Sequence, residues 1–260
     1  ALPICRPCRN LDPILCGSHW LQSCFHWHGS QADRVLVEGV MGLFDGRGCS
    51  GEGSSAAVAD QLQLPVVLVV DASRQASSLA ALVRGFRDHG PPSIHLAGVV
   101  LNRVNSARHR SLLAEALASI SVPLLGALPD DGALRIPSRH LGLLLPEELH
   151  DLRERLPRWA DLARRHLDID RFWALLEPPT GAAAADPISQ VIGPRAGQSE
   201  PRAIAVAADA AFHFRYPETT ELLQAAGVEP VLWSPLARSE EHTSELQSPC
   251  NLVCRLLLEK

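Results

Sequence analysis

The stretch VEGVMGLFDG, residues 37–46, decides the fold of this chain because it ends a short apolar run, RVLV at 34–37. A run of this kind predicts a buried strand, which places Glu38 where the strand ends. The glycines that follow allow the backbone to turn tightly. Ligands of open α/β sheets bind beyond the carboxyl ends of the strands, so Glu38 and Asp45 are expected where a metal–nucleotide complex meets a reacting substrate.

An isolated Glu-Gly with a further glycine nearby is a weak motif, and a strand with a Gly-rich loop and solvated acids explains it equally well. The whole of residues 37–46 is more specific, because it closely resembles the signature of the cobyrinic acid a,c-diamide synthase family. Members of that family are glutamine-dependent, ATP-consuming amidases of corrin-ring biosynthesis. The related cobyric acid synthases diverge after the shared Glu-Gly, so the rest of the stretch favours the a,c-diamide branch.

Strand and helix patterns alternate along the rest of the chain. Apolar runs at 66–70, 97–101 and 124–128 predict buried parallel strands, and apolar residues at helical spacing follow the first two. This alternation predicts an α/β fold with a parallel sheet and right-handed crossovers. Residues 147–176 predict helices, with a division at Pro157.

The resemblance implies a P-loop-type parallel sheet with flanking helices over residues 1–176, an ATP-dependent synthetase domain. Its N-terminal P-loop is missing, since no G-x-x-x-x-G-K-[ST] occurs in the sequence. Pro, Gly and Ala dominate residues 177–202, which predicts a linker. Residues 203–237 read strand–helix–strand, and their matches to the family imply the truncated start of a class I glutamine amidotransferase α/β domain.

Both ends of the chain favour a fragment. Met41 is the only methionine, and the family resemblance favours a fragment over a processed N-terminus. Residues 238–260 resemble the translation of a sequencing-adapter oligonucleotide and are interpreted as a non-native tail, with a genuine helical tail as the alternative. Without a P-loop and a glutaminase nucleophile, this polypeptide is expected to have neither ATPase nor glutaminase activity.

Carried over from the family, Glu38 is the Mg²⁺ ligand, because its carboxylate offers the hard oxygen that this ion prefers. Asp45 is the catalytic residue at the acyl-transfer site, where it positions substrate or metal. A loop cap that accepts from nearby N–H groups is the alternative role for Asp45. Gly39 and Gly42, together with Gly46, allow close approach of the backbone to the cofactor.

Further residues are matched to the family at later strand ends. Asn102 in LNRV, residues 101–104, resembles the adenine-recognition residue, since an Asn side chain offers both a donor and an acceptor. A turn residue at a strand end is the alternative. Arg139 and His140 in RHLGL, residues 139–143, are assigned to the carboxylates of the corrin substrate, or alternatively to bracing the fold through backbone carbonyls.

The resemblance implies an ATP- and glutamine-dependent amidation of the a and c acetate side chains of cobyrinate or hydrogenobyrinate, through an acyl phosphate, in cobalamin biosynthesis. ATP and Mg²⁺ are the expected cofactors, and L-glutamine is the expected ammonia donor. Nickel-sirohydrochlorin a,c-diamide synthase and cobyric acid synthase are the enzyme alternatives. A non-catalytic nucleotide-binding protein of the partitioning type is a further alternative, against which the amidotransferase-like segment argues.

Composition limits the remaining classes. A formal net charge of −5 gives no electrostatic reason to expect a nucleic-acid partner, and no apolar run approaches the length of a membrane-spanning helix. The cytoplasm is the expected location, and a homodimer is one possible oligomeric state. Seven cysteines, an odd number, argue against a disulfide framework, and a zinc site at the C-x-x-C of Cys5 and Cys8 is a weaker alternative to unpaired thiols.

Overall fold

The computed structural model describes residues 7–132, 135–136, 149–179, 185–193, 202–212 and 215–238. The chain divides into two units. Among the described residues, unit 1 extends from Leu11 to Pro179, and unit 2 combines Pro7–Asn10 with the chain from Ala185 onward.

Unit 1 has a three-stranded parallel sheet in the order β1-β2-β3 with helices on the connections. Its elements, in chain order, are α1 (Pro13–Gly29), α2 (Ser55–Leu62), β1 (Pro65–Asp71), α3 (Ser78–Asp88), β2 (His95–Asn102), α4 (Ala107–Ala118), β3 (Leu124–Ala127), α5 (Leu152–His166) and α6 (Ile169–Leu175). The register pairs Asp71 with Asn102, so the carboxyl ends of β1 and β2 coincide. The parallel sheet and its three strands, predicted from the apolar runs, are confirmed.

The core of unit 1 lies between one face of this sheet and helices α3 and α4. Leu79 and Val83 of α3 and Leu113 and Leu117 of α4 are fully buried, and each pair is spaced four residues apart, which places its members on one helix face. Side chains alternate along a strand, so Val69 of β1 points away from this core and is 66% exposed. That second face is open at Val69 of β1 but covered at the centre of the sheet, where Val100 of β2 is 4% exposed.

The strand predicted at residues 34–37 is wrong. These residues have no strand conformation, and Leu36 is 81% exposed. In the described residues β1 pairs only with β2, so no neighbouring strand supplies a ladder to this run. The backbone of Val35 instead donates to the carbonyl of Leu176, at 3.2 Å.

Two helical features also differ from the sequence reading. Pro157 lies inside α5 rather than dividing it: the helix continues to His166 and lacks only the hydrogen bond that an N–H at position 157 would donate. The N-terminal region, which shows no periodicity, contains α1. Gly17 interrupts that helix with φ of 80°, which breaks the apolar spacing that would reveal it.

Unit 2 contains the strand–helix–strand arrangement expected from residues 203–237. Its elements are α7 (Pro187–Ile192), β4 (Arg202–Ala207), α8 (Pro217–Ala225), β5 (Val228–Trp233) and a 3₁₀ turn at Leu236–Arg238. The two strands are parallel and in continuous register. Helix α7 lies within the interval predicted as a linker, and no helix among the described residues of either unit has the length and apolarity to cross a membrane.

Candidate functional site

Residues 37–46, the signature loop, lead towards helix α2 and are held by backbone hydrogen bonds. The Asp45 N–H donates to the Gly42 carbonyl at 3.0 Å, which closes a tight turn. The Ala56 N–H, at the beginning of α2, donates to the Leu43 carbonyl at 2.8 Å. The turn that carries Asp45 is therefore fixed to the start of a helix rather than left as free loop.

Two glycines of the signature loop are required by close packing. A Cβ on Gly39 would lie 2.7 Å from the Ser55 hydroxyl oxygen. A Cβ on Gly42 would lie well inside van der Waals contact of the Asp45 carboxylate. Gly42 thus leaves the space that the Asp45 side chain occupies, which ties a glycine of the motif directly to its acid.

The rest of the loop is anchored by an aromatic contact and a second close approach. The Phe44 ring stacks on Phe86, with centroids 6.3 Å apart, and meets the edge of the His89 ring at 4.6 Å. A Cβ on Gly46 would lie 2.5 Å from the Glu52 carbonyl oxygen. Packing on both sides of Asp45 therefore restricts where its carboxylate can point.

The carboxylates of Glu38 and Asp45 are both exposed. No hydrogen bond or ion pair to either carboxylate is formed by the residues that the structure describes, so the loop-cap role of Asp45 gains no support. Across these same residues, no three His, Cys, Asp or Glu side chains converge as a metal cage. Mg²⁺ does not need such a cage, because one or two carboxylates suffice when water and phosphate oxygens complete its shell. The donor chemistry of Glu38 and Asp45 fits that ion.

Asn102 lies at the carboxyl end of β2, where its side chain is oriented by the next residue. The Arg103 N–H donates to the Asn102 Oδ1 at 3.0 Å. That oxygen has a second lone pair, and no acceptor in the described part of the chain binds the side-chain NH₂ group. The amide can therefore still offer the donor and acceptor that an adenine edge requires.

Arg103 was not singled out from the sequence, yet it forms part of the same edge. Its backbone has φ of 63°, a left-handed conformation that a long side chain rarely adopts. Its guanidinium donates to the Asp71 Oδ2 at 3.0 Å across the ends of β1 and β2. The Ser73 N–H, which donates to the other oxygen of Asp71, is the main cause of the lowered pKa of that carboxyl, and Arg103 lowers it further.

The loop after β3 contributes a second ion pair to this edge. The Asp130 carboxylate binds Arg135 at 2.7 Å, and this hydrogen bond is the main reason why the pKa of Asp130 is lowered. The Asp130 N–H donates to the Asn105 side chain at 2.8 Å. Their positions directly after strands were the only sequence signal for these residues.

The structure thus groups Gly42 with Asp45, and Asn102 with Arg103 and Asp71. Among the described residues, no hydrogen bond or ion pair joins the first group to the second. Arg139 and His140, the predicted contacts for the corrin carboxylates, lie outside those residues, as does Cys5. Cys8, the other half of the C-x-x-C, is an exposed free thiol.

A parallel α/β sheet with polar side chains at its carboxyl edge, in a chain that also carries a glycine-rich loop, is the arrangement of a nucleotide-binding α/β protein. A family profile described as an AAA domain matches residues 27–138, which include the signature loop and strands β1 to β3. No solved structure matches the chain.

Curated relatives extend the similarity to most of the chain. Cobyrinate a,c-diamide synthase of Synechocystis sp. is 41% identical over 90% of this chain and 48% of its own length. The enzyme of the same name in Syntrophotalea carbinolica is 42% identical over 89% and 50%. Hydrogenobyrinate a,c-diamide synthase of Mycobacterium bovis is 41% identical over 92% and 53%.

The chain belongs to the family of cobyrinate and hydrogenobyrinate a,c-diamide synthases, which confirms the resemblance found in residues 37–46. It spans about half the length of the curated relatives it matches.

Proposed function

We propose that this protein takes part in the ATP- and glutamine-dependent amidation of the a and c acetate side chains of cobyrinate or hydrogenobyrinate, in cobalamin biosynthesis. The observation that carries the proposal is the signature loop, in which two exposed carboxylates stand on a backbone fixed by close glycine packing. The names of the relatives support the same reaction.

An amide forms from a carboxylate in water only after the acyl group is activated, and ATP with Mg²⁺ supplies that activation by phosphorylation of the acetate. Glu38 holds the magnesium ion through its carboxylate oxygens. Asp45 orients the acetate or the ion, because the space left by Gly42 directs its carboxylate. Asn102 pairs with the adenine edge through its amide.

The remaining parts of the proposal concern substrate and ammonia. Arg139 and His140 bind the carboxylates of the corrin ring. Unit 2 begins the domain that releases ammonia from L-glutamine, and its strand–helix–strand arrangement is compatible with that role. The cytoplasm is the proposed location, and a homodimer remains a prediction.

The test is an amidation assay on the protein expressed from the complete gene, including any codons that flank these residues. We expect a,c-diamide from cobyrinate when ATP, Mg²⁺ and glutamine are all present. Replacement of Glu38 by Gln lowers the rate by roughly 100-fold, the effect of one lost electrostatic contact in a transition state. Glu115→Gln, which removes an exposed acid on α4, leaves the rate unchanged.

Parallel reactions separate the alternatives. Amidation of nickel-sirohydrochlorin but not of cobyrinate would move the assignment to the other macrocycle. Nucleotide binding without any amide product would favour the partitioning type of protein. Equal rates for Glu38→Gln and Glu115→Gln would contradict the role given to Glu38.

A further inference from the structure

Residues 7–10 lie in unit 2, although the chain that follows them from Leu11 lies in unit 1. Arg9, in this segment, forms a two-pronged ion pair with Glu221 of helix α8. The Nη1–Oε2 distance is 2.7 Å and the Nη2–Oε1 distance is 2.6 Å. A third hydrogen bond joins Arg9 Nη1 to Glu218 Oε1 at 3.3 Å. Parallel hydrogen bonds between a guanidinium and a carboxylate are the strongest form of this interaction.

The triad is largely removed from water. The Arg9 side chain is 14% exposed, that of Glu218 is 13% exposed and that of Glu221 is 33% exposed. Glu218 Oε2 is buried, with no hydrogen-bond partner in the described part of the chain. Buried charges are tolerated only when they are paired, and removal of one partner is strongly destabilising. Arg9 is therefore the counter-charge of the buried Glu218 carboxylate and the two-pronged partner of the partly exposed Glu221.

We infer that residues 7–10 act as a second tether, in which Arg9 holds the segment that leads into Leu11 of unit 1 to the acidic face of α8 in unit 2. Among the described residues, the chain then passes between the units after Asn10 and again between residues 179 and 185. The ion triad holds residues 7–10 to helix α8 independently of the later peptide connection between residues 179 and 185. Unit 2 is therefore expected to stay attached to unit 1 when that later connection is cut. This inference does not depend on the proposed function.

The test uses the whole chain with a recognition sequence for a site-specific protease inserted between Gly181 and Ala182. After cleavage, the two pieces are analysed by size-exclusion chromatography without denaturant. We expect the pieces of the otherwise unchanged chain to elute together. The pieces of the Arg9→Glu chain are expected to elute separately, because three acids then face one another.

Arg84→Ala is the matched control, since it removes an exposed arginine from an ion pair with Asp88 on α3, and its pieces still elute together. The double variant Arg9→Glu with Glu221→Arg restores an opposite-charge pair and recovers joint elution, which a merely misfolded unit 2 would not do. Separate elution of the unchanged pieces would overturn the tether. Joint elution of the Arg9→Glu pieces would overturn it as well, because another contact would then hold them.

Discussion

Both units place an acid where a parallel strand ends, but the two acids are satisfied in different ways. Asp71, the last residue of β1, pairs with the half-exposed guanidinium of Arg103. Asp209 after β4 accepts hydrogen bonds from Ala211 N, Ser234 Oγ and Leu236 N. The first arrangement leaves exposed charged groups at the carboxyl edge of the sheet. The second uses both oxygens of Asp209 to join the loop after β4 to the loop after β5.

The difference extends to what lies beneath each edge. The edge of unit 1 rests on a cluster of buried apolar side chains from the sheet, α3 and α4. In unit 2, Val231 and Leu232 of β5 remain 47% and 58% exposed. Unit 1 can keep charged groups at its edge because apolar burial stabilises it. Unit 2 buries less apolar surface among its described residues. It relies more on hydrogen bonds and ion pairs, such as those of Asp209 and of Arg9 with Glu218 and Glu221.

The largest expected effect comes from the core beneath the edge of unit 1. Leu113→Ala removes a fully buried side chain from α4 and is expected to lower the free energy of unfolding by ~2–5 kcal/mol. Leu112→Ala is the matched control, because its side chain is 47% exposed, and its effect is expected within about 0.5 kcal/mol. Urea unfolding followed by circular dichroism measures both. Equal losses for the two variants would show that apolar burial does not distinguish unit 1.

The second effect concerns the signature loop and is one of activity rather than stability. Gly42→Ala places a Cβ against the Asp45 carboxylate and displaces it. A shift of about 1 Å in a positioned group can cost roughly 100-fold in rate, so the amidation rate of the protein produced from its full locus is expected to fall by that factor.

Gly85→Ala serves as the control for the glycine substitution. No atom lies within 4 Å of a Cβ at Gly85 in α3, and alanine there is expected to stabilise the helix by ~1 kcal/mol without changing the rate. An amidation rate for Gly42→Ala equal to that of the unchanged protein would remove Asp45 from the proposed site.

A third prediction tests whether Asp209 is a structural tie. Backbone hydrogen bonds from Leu236 and Ala211, with the Ser234 hydroxyl, lower the pKa of Asp209. A carboxyl with a lowered folded-state pKa contributes stability above its unfolded pKa of about 4 and loses it as the pH falls through the folded value. Protection of β4 and β5 amides from hydrogen exchange is therefore expected to decrease in that acidic range.

Asp209→Asn isolates this contribution, since the amide cannot titrate. Its protection is expected to be lower than that of the unchanged chain near pH 7 and to depend less on pH below about 4. Asp161→Asn, at an exposed ion pair on α5, provides the comparison and leaves the exchange of unit 2 unchanged. A steep acidic loss that persists in Asp209→Asn would assign the effect to other carboxyls.

The contrast also explains what the sequence could reveal. Strands β1, β2 and β3 were predictable because each contains a continuous apolar run, which indicates a buried strand. The run at 34–37 is also apolar, but no strand of the described part of the chain lies beside it, and pairing is a property of the fold rather than of the run. The place of Asn102 at the end of β2 was predictable from its motif, whereas the Arg9 contact joins residues 212 positions apart, which no local pattern encodes.

The smallest expected effect concerns the strained backbone at the edge of unit 1. Arg103→Gly suits a φ of 63° and is expected to change the free energy of unfolding by at most ~1 kcal/mol in the stabilising direction, because relief of strain exceeds the entropy cost of glycine. Arg103→Ala keeps the strain and loses only a half-exposed ion pair, which contributes little. Both variants remove the guanidinium from beside Asn102, so nucleotide affinity falls equally in the two if Arg103 helps to hold the base. If Arg103→Gly is more stable than the unchanged chain but binds nucleotide more weakly, Arg103 keeps its left-handed backbone for the sake of the site. If Arg103→Gly is less stable than Arg103→Ala, the backbone at position 103 is not strained.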